Sequence, residues 1–292
     1  MYLQEKIFDP KLESYEKEIL SYKSFKFKPS KIRKIVGESP RVKSFYLEKQ
    51  MKCLTRPGQF VMVWLPGHEE VPMSITDEGE DFIRISVSRE GTTTSELHKL
   101  EIGSTLFLRG PFGNGFSLDG KSFLVVGGGY GVAPLIYAAK ILSKNNVRCS
   151  YIQGAKTKSD LLFLDEVKNM DVELNLATDD GSEGFKGRAT ELMESVLDTR
   201  EFDFILTCGS EQMMHRVVQL GVERSIRAQA SLERYMKCGF GICGSCVLDP
   251  VGLRVCTEGP IFEGNFLLNT EFGKQKRDLS GSRVTIDDEK RK

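Results

Sequence analysis

From Phe27 onward, apolar and polar residues alternate at period two in short runs. Val42-Lys43-Ser44-Phe45-Tyr46-Leu47, Gln59-Phe60-Val61-Met62-Val63-Trp64 and Phe82-Ile83-Arg84-Ile85-Ser86-Val87 are the clearest. Arg56-Pro57-Gly58 and Leu65-Pro66-Gly67 punctuate them as turns. About six strands at this spacing predict a small antiparallel barrel, ending near Gly110-Pro111-Phe112-Gly113-Asn114-Gly115-Phe116. After residue 120 the pattern switches. The apolar strand Ser122-Phe123-Leu124-Val125-Val126 runs into Gly127-Gly128-Gly129-Tyr130-Gly131-Val132-Ala133-Pro134-Leu135 and a helix through about Ser143. Further βα units follow: a strand at Arg148 to Gln153, a helix at Leu161 to Met170, a strand at Val172 to Ala177, a helix from about Thr190 and a strand at Phe204 to Thr207. Together they predict a doubly wound parallel sheet of about five strands.

The expected division is an extension of no assigned role over 1–26, a barrel over 27–117, an α/β nucleotide domain over 118–229, a small cysteine module over 230–265 and a tail over 266–292. The fold class is thus multi-domain, β plus α/β, with a small metal-binding module.

The turn after Ser122–Val126 has the strand, glycine turn and helix start that a nucleotide phosphate needs, because helix N-terminal amides and their dipole favour an anion. Its spacing is G-x-G-x-x-V, and no acidic residue ends the second strand to take a ribose hydroxyl. The choice between NADH and NADPH stays open here, and Lys156 and Lys158 could accept a 2′-phosphate.

The cysteine module carries the strongest signal. Cys238, Cys243, Cys246 and Cys256 form C-x4-C-x2-C-x9-C, three thiolates in one loop and a fourth from the next segment, the way a plant-type [2Fe–2S] cluster is ligated. Gly239, Gly241 and Gly244 let the chain adopt positive φ and aim amides at sulfur. Structural zinc usually draws its thiolates from two short knuckles. Disulfides need an oxidising compartment, and the chain starts with no secretory signal. The other three of the seven cysteines, Cys53, Cys149 and Cys208, read as ordinary small buried residues.

Lys and Arg total 41 and Asp and Glu total 41, so no electrostatic footprint for nucleic acid or an anionic membrane is visible. No run of about 18 apolar residues marks a transmembrane helix. A cytoplasmic enzyme is the expectation. His68, His98 and His215 fall into no acid–base or metal constellation. The lack of a catalytic base suits chemistry carried by cofactors that the protein only orients.

Barrel, nucleotide domain and [2Fe–2S] loop in this order resemble the electron-transfer subunit of NAD-dependent dihydroorotate dehydrogenase, in the ferredoxin reductase superfamily. The resemblance runs over about residues 27–265 and includes Val71-Pro72-Met73-Ser74 (usually Arg-Pro-x-Ser), Gly91-Thr92-Thr93-Thr94, the Gly110–Phe116 segment, Thr178-Asp179-Asp180-Gly181-Ser182, Thr207-Cys208-Gly209-Ser210 and Arg254 to Phe262. It implies FAD held by Val71, Pro72, Met73 and Ser74, by Ser86, Val87 and Ser88, and by Gly91, Thr92 and Thr93. It implies NAD(H) at Gly128, Gly129, Gly131, Asp179, Cys208 and Gly209, and the cluster on the four cysteines, with no catalytic side chain. The implied partner is an FMN-containing dihydroorotate dehydrogenase catalytic subunit, in a heterotetramer serving pyrimidine biosynthesis.

Val71 stands where the family's arginine pairs with the flavin pyrophosphate. Either another cation substitutes, with Arg84 and Arg89 nearest, or backbone N–H groups and threonines hold the flavin, and FMN becomes an alternative to FAD. Thr92 to Thr94 could simply be β-branched strand filler, and Asp179 and Asp180 turn formers. A small subunit of an NAD(P)H–ferredoxin oxidoreductase or sulfide dehydrogenase would share the same domain order.

Overall fold

A computed structural model of the chain describes residues 25–51 and 53–286. Most of the expected extension therefore lies outside the described residues, as does the end of the tail.

Strands β1 (Lys28–Ser39), β2 (Val42–Glu48), β3 (Phe60–Trp64), β4 (Val71–Glu78), β5 (Phe82–Ser88) and β6 (Thr105–Phe112) close into a barrel in the order β1-β2-β5-β4-β3-β6. Every neighbour is antiparallel. Alternation decides the two sides of β3: Val61 and Val63 fill the barrel core, while Phe60 and Met62 join a second core shared with the sheet and the cysteine module. Both turns expected at 56–58 and 65–67 are present. Helix α1 (Thr92–Leu97) occupies the stretch read as possible strand filler; the Thr94 hydroxyl accepts from the Gly91 N–H at 2.9 Å and fixes its first turn.

The second unit builds on β7 (Ser122–Gly128), α2 (Val132–Lys144), β8 (Arg148–Ala155), α3 (Leu164–Lys168), β9 (Glu173–Thr178), β10 (Phe185–Lys186), α4 (Ala189–Leu197), β11 (Phe204–Cys208), α5 (Glu211–Glu223) and β12 (Arg227–Ser231). The sheet has seven strands rather than about five, in the order β10-β9-β8-β7-β11-β12-β15, and β15 (Ile261–Glu263) is antiparallel to β12. The boundary expected at 229 falls inside β12, and β15 comes from residues assigned to the cysteine module, which is therefore slung between two strands of the sheet. Helix α3 is shorter than the predicted Leu161 to Met170 because Phe163 sits at φ 57, where a helix cannot start earlier.

Within the module, β13 (Val247–Leu248) pairs with β14 (Leu253–Arg254). Helix α6 (Gly264–Leu267) and the hairpin β16 (Gln275–Arg277) and β17 (Arg283–Thr285) follow. The barrel and the sheet are joined by polar contacts: Lys140 on α2 pairs with Asp77, Tyr137 donates to Glu78 at 3.1 Å, and Arg84 grips Glu166 of α3 at 2.6 Å. Among the described residues no helix is long and apolar enough to cross a membrane.

Candidate functional site: a shared cavity and a cysteine quartet

Strand order reverses between β7 and β11, whose carboxyl ends lie side by side with Gly127 opposite Cys208. In open α/β sheets a ligand binds at this crest. Glycine is required there: a Cβ on Gly131 would come within 2.4 Å of the Gly209 backbone. A cavity of about 400 Å³ opens beside it. It is lined by Pro72, Met73, Ser74 and Ser88 of the barrel, by Gly128 and Gly131, by Cys208 and Gly209, and by Ser231 to Arg234, Met236 and Pro260 leading into and out of the cysteine loop. A groove of about 760 Å³ lies at the opposite, amino-terminal edge of β8 and β9, where the switch-point rule places no ligand.

Eight of the residues expected at a cofactor thus meet on one cavity. The others are not among its lining residues. Val71 is half-buried at the start of β4, Gly91 and Thr92 are exposed at the start of α1, Thr93 is buried, and Gly129 is half-exposed at φ 53. Asp179 is exposed just past β9, its N–H bonded to the Ala155 carbonyl at 3.1 Å. Val87 is fully buried in the barrel core, and the Ser86 hydroxyl is engaged by Ser44 at 2.8 Å and Thr76 at 3.2 Å. Neither side chain lines the cavity.

Arg84, one of the two cations considered in place of the missing arginine, is 2% exposed and committed to Glu166. Arg89 is exposed, two residues before Gly91.

Tyr130, Glu233 and Arg234 also line the cavity and were not among the residues expected there. The Tyr130 hydroxyl donates to the Ser86 carbonyl at 2.5 Å, tying the glycine turn to the barrel. Burial pushes this phenol up, helped by Glu233, Cys208 and Glu90. Burial likewise pushes the Cys208 thiol up to about 12, with Glu233 adding to it, so Cys208 faces the cavity as a neutral thiol. Arg234, its side chain 1% exposed, is held bidentate by Glu211 at 2.8 and 3.0 Å. The signal for Glu233 and Arg234 was their place five and four residues ahead of Cys238.

The hairpin β13–β14 explains the nine-residue gap before the last cysteine: Val255 N–H bonds to the Cys246 carbonyl at 3.0 Å, and Cys256 N–H points at Cys246 Sγ at 3.4 Å. Gly239, Gly241 and Gly244 all have positive φ, as anticipated, and the loop aims Gly241 N–H at Cys256 Sγ (3.1 Å) and Ile242 N–H at Cys238 Sγ (3.3 Å). Arg254 braces it by donating to the Gly241 carbonyl at 2.9 Å.

The sulfurs fall as two pairs in mutual contact, Cys238 with Cys243 and Cys246 with Cys256. Among the described residues no three His, Cys, Asp or Glu side chains form a single-ion site. Two pairs, with backbone N–H groups turned toward sulfur, are the donor set a two-iron cluster takes, and the residues fit that group. Cys243 is exposed and Cys238 half-exposed while Cys246 and Cys256 are buried, so one pair faces solvent and the other the interior.

The loop also touches the barrel. A Cβ on Gly239 would lie 2.7 Å from Met62 Cγ. Met62, fully buried, is paired with Pro72 of the cavity on one side and Arg109 on the other. The cysteine loop thus packs on a side chain of β3, the strand paired with the cavity-lining β4.

A six-stranded barrel, a sheet with a nucleotide-type crest, a shared cavity and a cysteine quartet define an iron–sulfur flavoprotein reductase of the ferredoxin reductase kind. Residues 125–219 match the oxidoreductase NAD-binding domain, and residues 233–268 the iron-sulfur cluster binding domain of dihydroorotate dehydrogenase B. The probable dihydroorotate dehydrogenase B (NAD(+)) electron transfer subunit of Methanocaldococcus jannaschii is 46% identical over 255 residues, 87% of this chain and 96% of that protein. The corresponding protein of Methanothermobacter thermautotrophicus is 44% identical over 256 residues, 87% of this chain and 95% of that protein. A solved chain of the NADH-dependent reduced ferredoxin-NADP oxidoreductase superposes with a TM-score of 0.74 at 32% identity, covering 81% of this chain and 88% of that one. The chain belongs to the family of dihydroorotate dehydrogenase B electron transfer subunits.

Proposed function

We propose that the chain passes electrons between NAD(H) and a dihydroorotate dehydrogenase catalytic subunit, using FAD and a [2Fe–2S] cluster, in pyrimidine biosynthesis. The observation that carries this reading is the cavity walled by barrel, crest and cysteine segment, with Met62, the strand partner of the cavity residue Pro72, packed against the cluster loop. Bound flavin supplies the conversion between hydride and single electrons, which the cluster then carries.

The chain's own task is to hold and orient. Pro72, Met73, Ser74 and Ser88 take the flavin ring, with its pyrophosphate at the Gly91–Thr93 turn, where the first N–H groups of α1 have no partner within the helix and Arg89 supplies a cation. Gly128, Gly129 and Gly131 cradle the nucleotide phosphates, Asp179 takes a ribose hydroxyl, and Cys208 and Gly209 abut the nicotinamide. Crowding the nicotinamide against the flavin while excluding water is the whole contribution required for hydride transfer. Cys238, Cys243, Cys246 and Cys256 ligate the cluster.

The dihydroorotate site belongs to an FMN-containing partner in a heterotetramer, docked over the exposed Cys238–Cys243 side. Ile242 there is 78% exposed, whereas Phe240 tucks against Phe25 at 5.0 Å. Thiolates kept free for iron suit the reducing cytoplasm. The test is reconstitution: the chain alone reduces artificial acceptors with NADH and oxidises no dihydroorotate, and adding a flavin-bearing dihydroorotate dehydrogenase chain creates NAD-linked activity. Dihydroorotate oxidation by the isolated chain overturns this division of labour. Coupling only to a ferredoxin-type partner would instead favour the oxidoreductase likeness at 32% identity.

A further inference from the structure

Arg109 lies on β6 beside the cysteine loop and is 8% exposed. Its guanidinium sits among three rings, with centroids at 5.4 Å (Phe27), 5.8 Å (Phe112) and 5.1 Å (Phe240). Phe240 belongs to the cluster loop itself, two residues after Cys238 and three before Cys243. Glu70 meets the guanidinium with both carboxylate oxygens, Nη2 to Oε2 at 2.6 Å and Nε to Oε1, and its side chain is 17% exposed.

Burying a cation costs more than burying a methionine or leucine of the same volume, and rings stack on one another without it. Packing alone therefore gives no reason for an arginine here. Electrostatics does. A cluster gains one negative charge on reduction, and a cation held in low dielectric one ring away favours the reduced form, while the carboxylate paired with that cation offsets it. Aromatic faces keep the guanidinium in place without neutralising it.

We propose that the Arg109–Glu70 pair sets the reduction potential of the cluster, Arg109 raising it and Glu70 lowering it. Both are positioning residues acting through charge. The inference rests on the cluster assignment above. Phe25 and Phe27 fold over this end of the barrel, Phe25 against Phe240 and Phe27 against Arg109.

The test is an EPR-monitored redox titration of the loaded full-length chain and its variants. Glu70→Gln, which keeps shape and leaves the cation uncompensated, raises the midpoint. Arg109→Met lowers it, Arg109→Lys, which keeps the charge, stays near the parent, and the Glu70→Gln/Arg109→Met double variant returns toward the parent. A merely structural role would move both single variants the same way or not at all. Either result, with the cluster signal intact, overturns the proposal, and if Arg109→Met fails to load, an unshifted Glu70→Gln alone does so. A parent chain without a [2Fe–2S] signal would instead overturn the cluster assignment beneath it.

Discussion

Cys243 is the exposed member of the quartet, and its thiol is the most acidic of those perturbed. Burial pushes it up, but its hydrogen bonds with Ser245 and Cys238 outweigh this and bring it to about 6. Contact with the Cys256 thiol lowers Cys246 to about 7, whereas burial lifts Cys149 and Cys208 to about 12. A lowered thiol is thiolate above its pKa. In the metal-free protein, alkylation of Cys243 should therefore rise through about pH 6, well below the ordinary thiol near 8.5, while Cys149 and Cys208 stay unmodified at neutral pH. Mass spectrometry of iodoacetamide adducts reads this directly, and loading the cluster should protect all four ligands together. At this scale the cysteine spacing was fully legible in sequence. Ser86 was not: period two puts it beside Ser88 on the same strand face, and only the neighbouring hydroxyls of Ser44 and Thr76 show that its side chain is already engaged.

Barrel strands could be read because each carries its own alternation. Strand β12, Arg227-Ala228-Gln229-Ala230-Ser231, alternates only through two alanines, with no β-branched or aromatic residue to mark a strand, and it pairs with its neighbours β11 and β15. Helix α5 does carry Met214, Val217, Val218 and Gly221 at helical spacing behind the cap Ser210, although the elements expected from sequence stopped at Thr207. The most consequential link between elements is Asn114, in the segment after β6. Its Nδ2 donates to the carbonyls of Glu258 (3.0 Å) and Ile261 (2.9 Å), and its Oδ1 accepts from the Ile261 N–H at 2.9 Å. The Gly110–Phe116 motif was visible in sequence, but its role as a clamp joining the barrel to the return limb of the cysteine module was not, because the partners are more than 140 residues away. Asn114→Ala leaves these groups unpaired and should destabilise the chain by about 1–3 kcal/mol. Hydrogen exchange should quicken at residues 257–262 while the barrel strands stay protected; uniform exchange across both would show that Asn114 is no clamp.

At the scale of the whole molecule, the arrangement is a relay. Barrel and sheet meet through Lys140–Asp77, Tyr137–Glu78 and Arg84–Glu166, and Tyr130 ties the crest to β5, so the two walls of the cavity are fixed to one another. The cysteine module, slung between β12 and β15, is anchored to the same sheet that presents the nucleotide turn. This nesting could not be read along the chain, where the module looks like a separate appendage. It makes one claim central: electrons from NADH reach the cysteine quartet through the cavity inside this single chain. Anaerobic reduction with NADH, followed by flavin absorbance and by EPR of samples frozen during the reaction, tests it most directly. The account predicts flavin bleaching followed by a reduced [2Fe–2S] signal, and in Cys243→Ser the same bleaching with no cluster signal. A cluster signal that persists in Cys243→Ser, or a parent cluster that NADH cannot reduce although dithionite can, would contradict it.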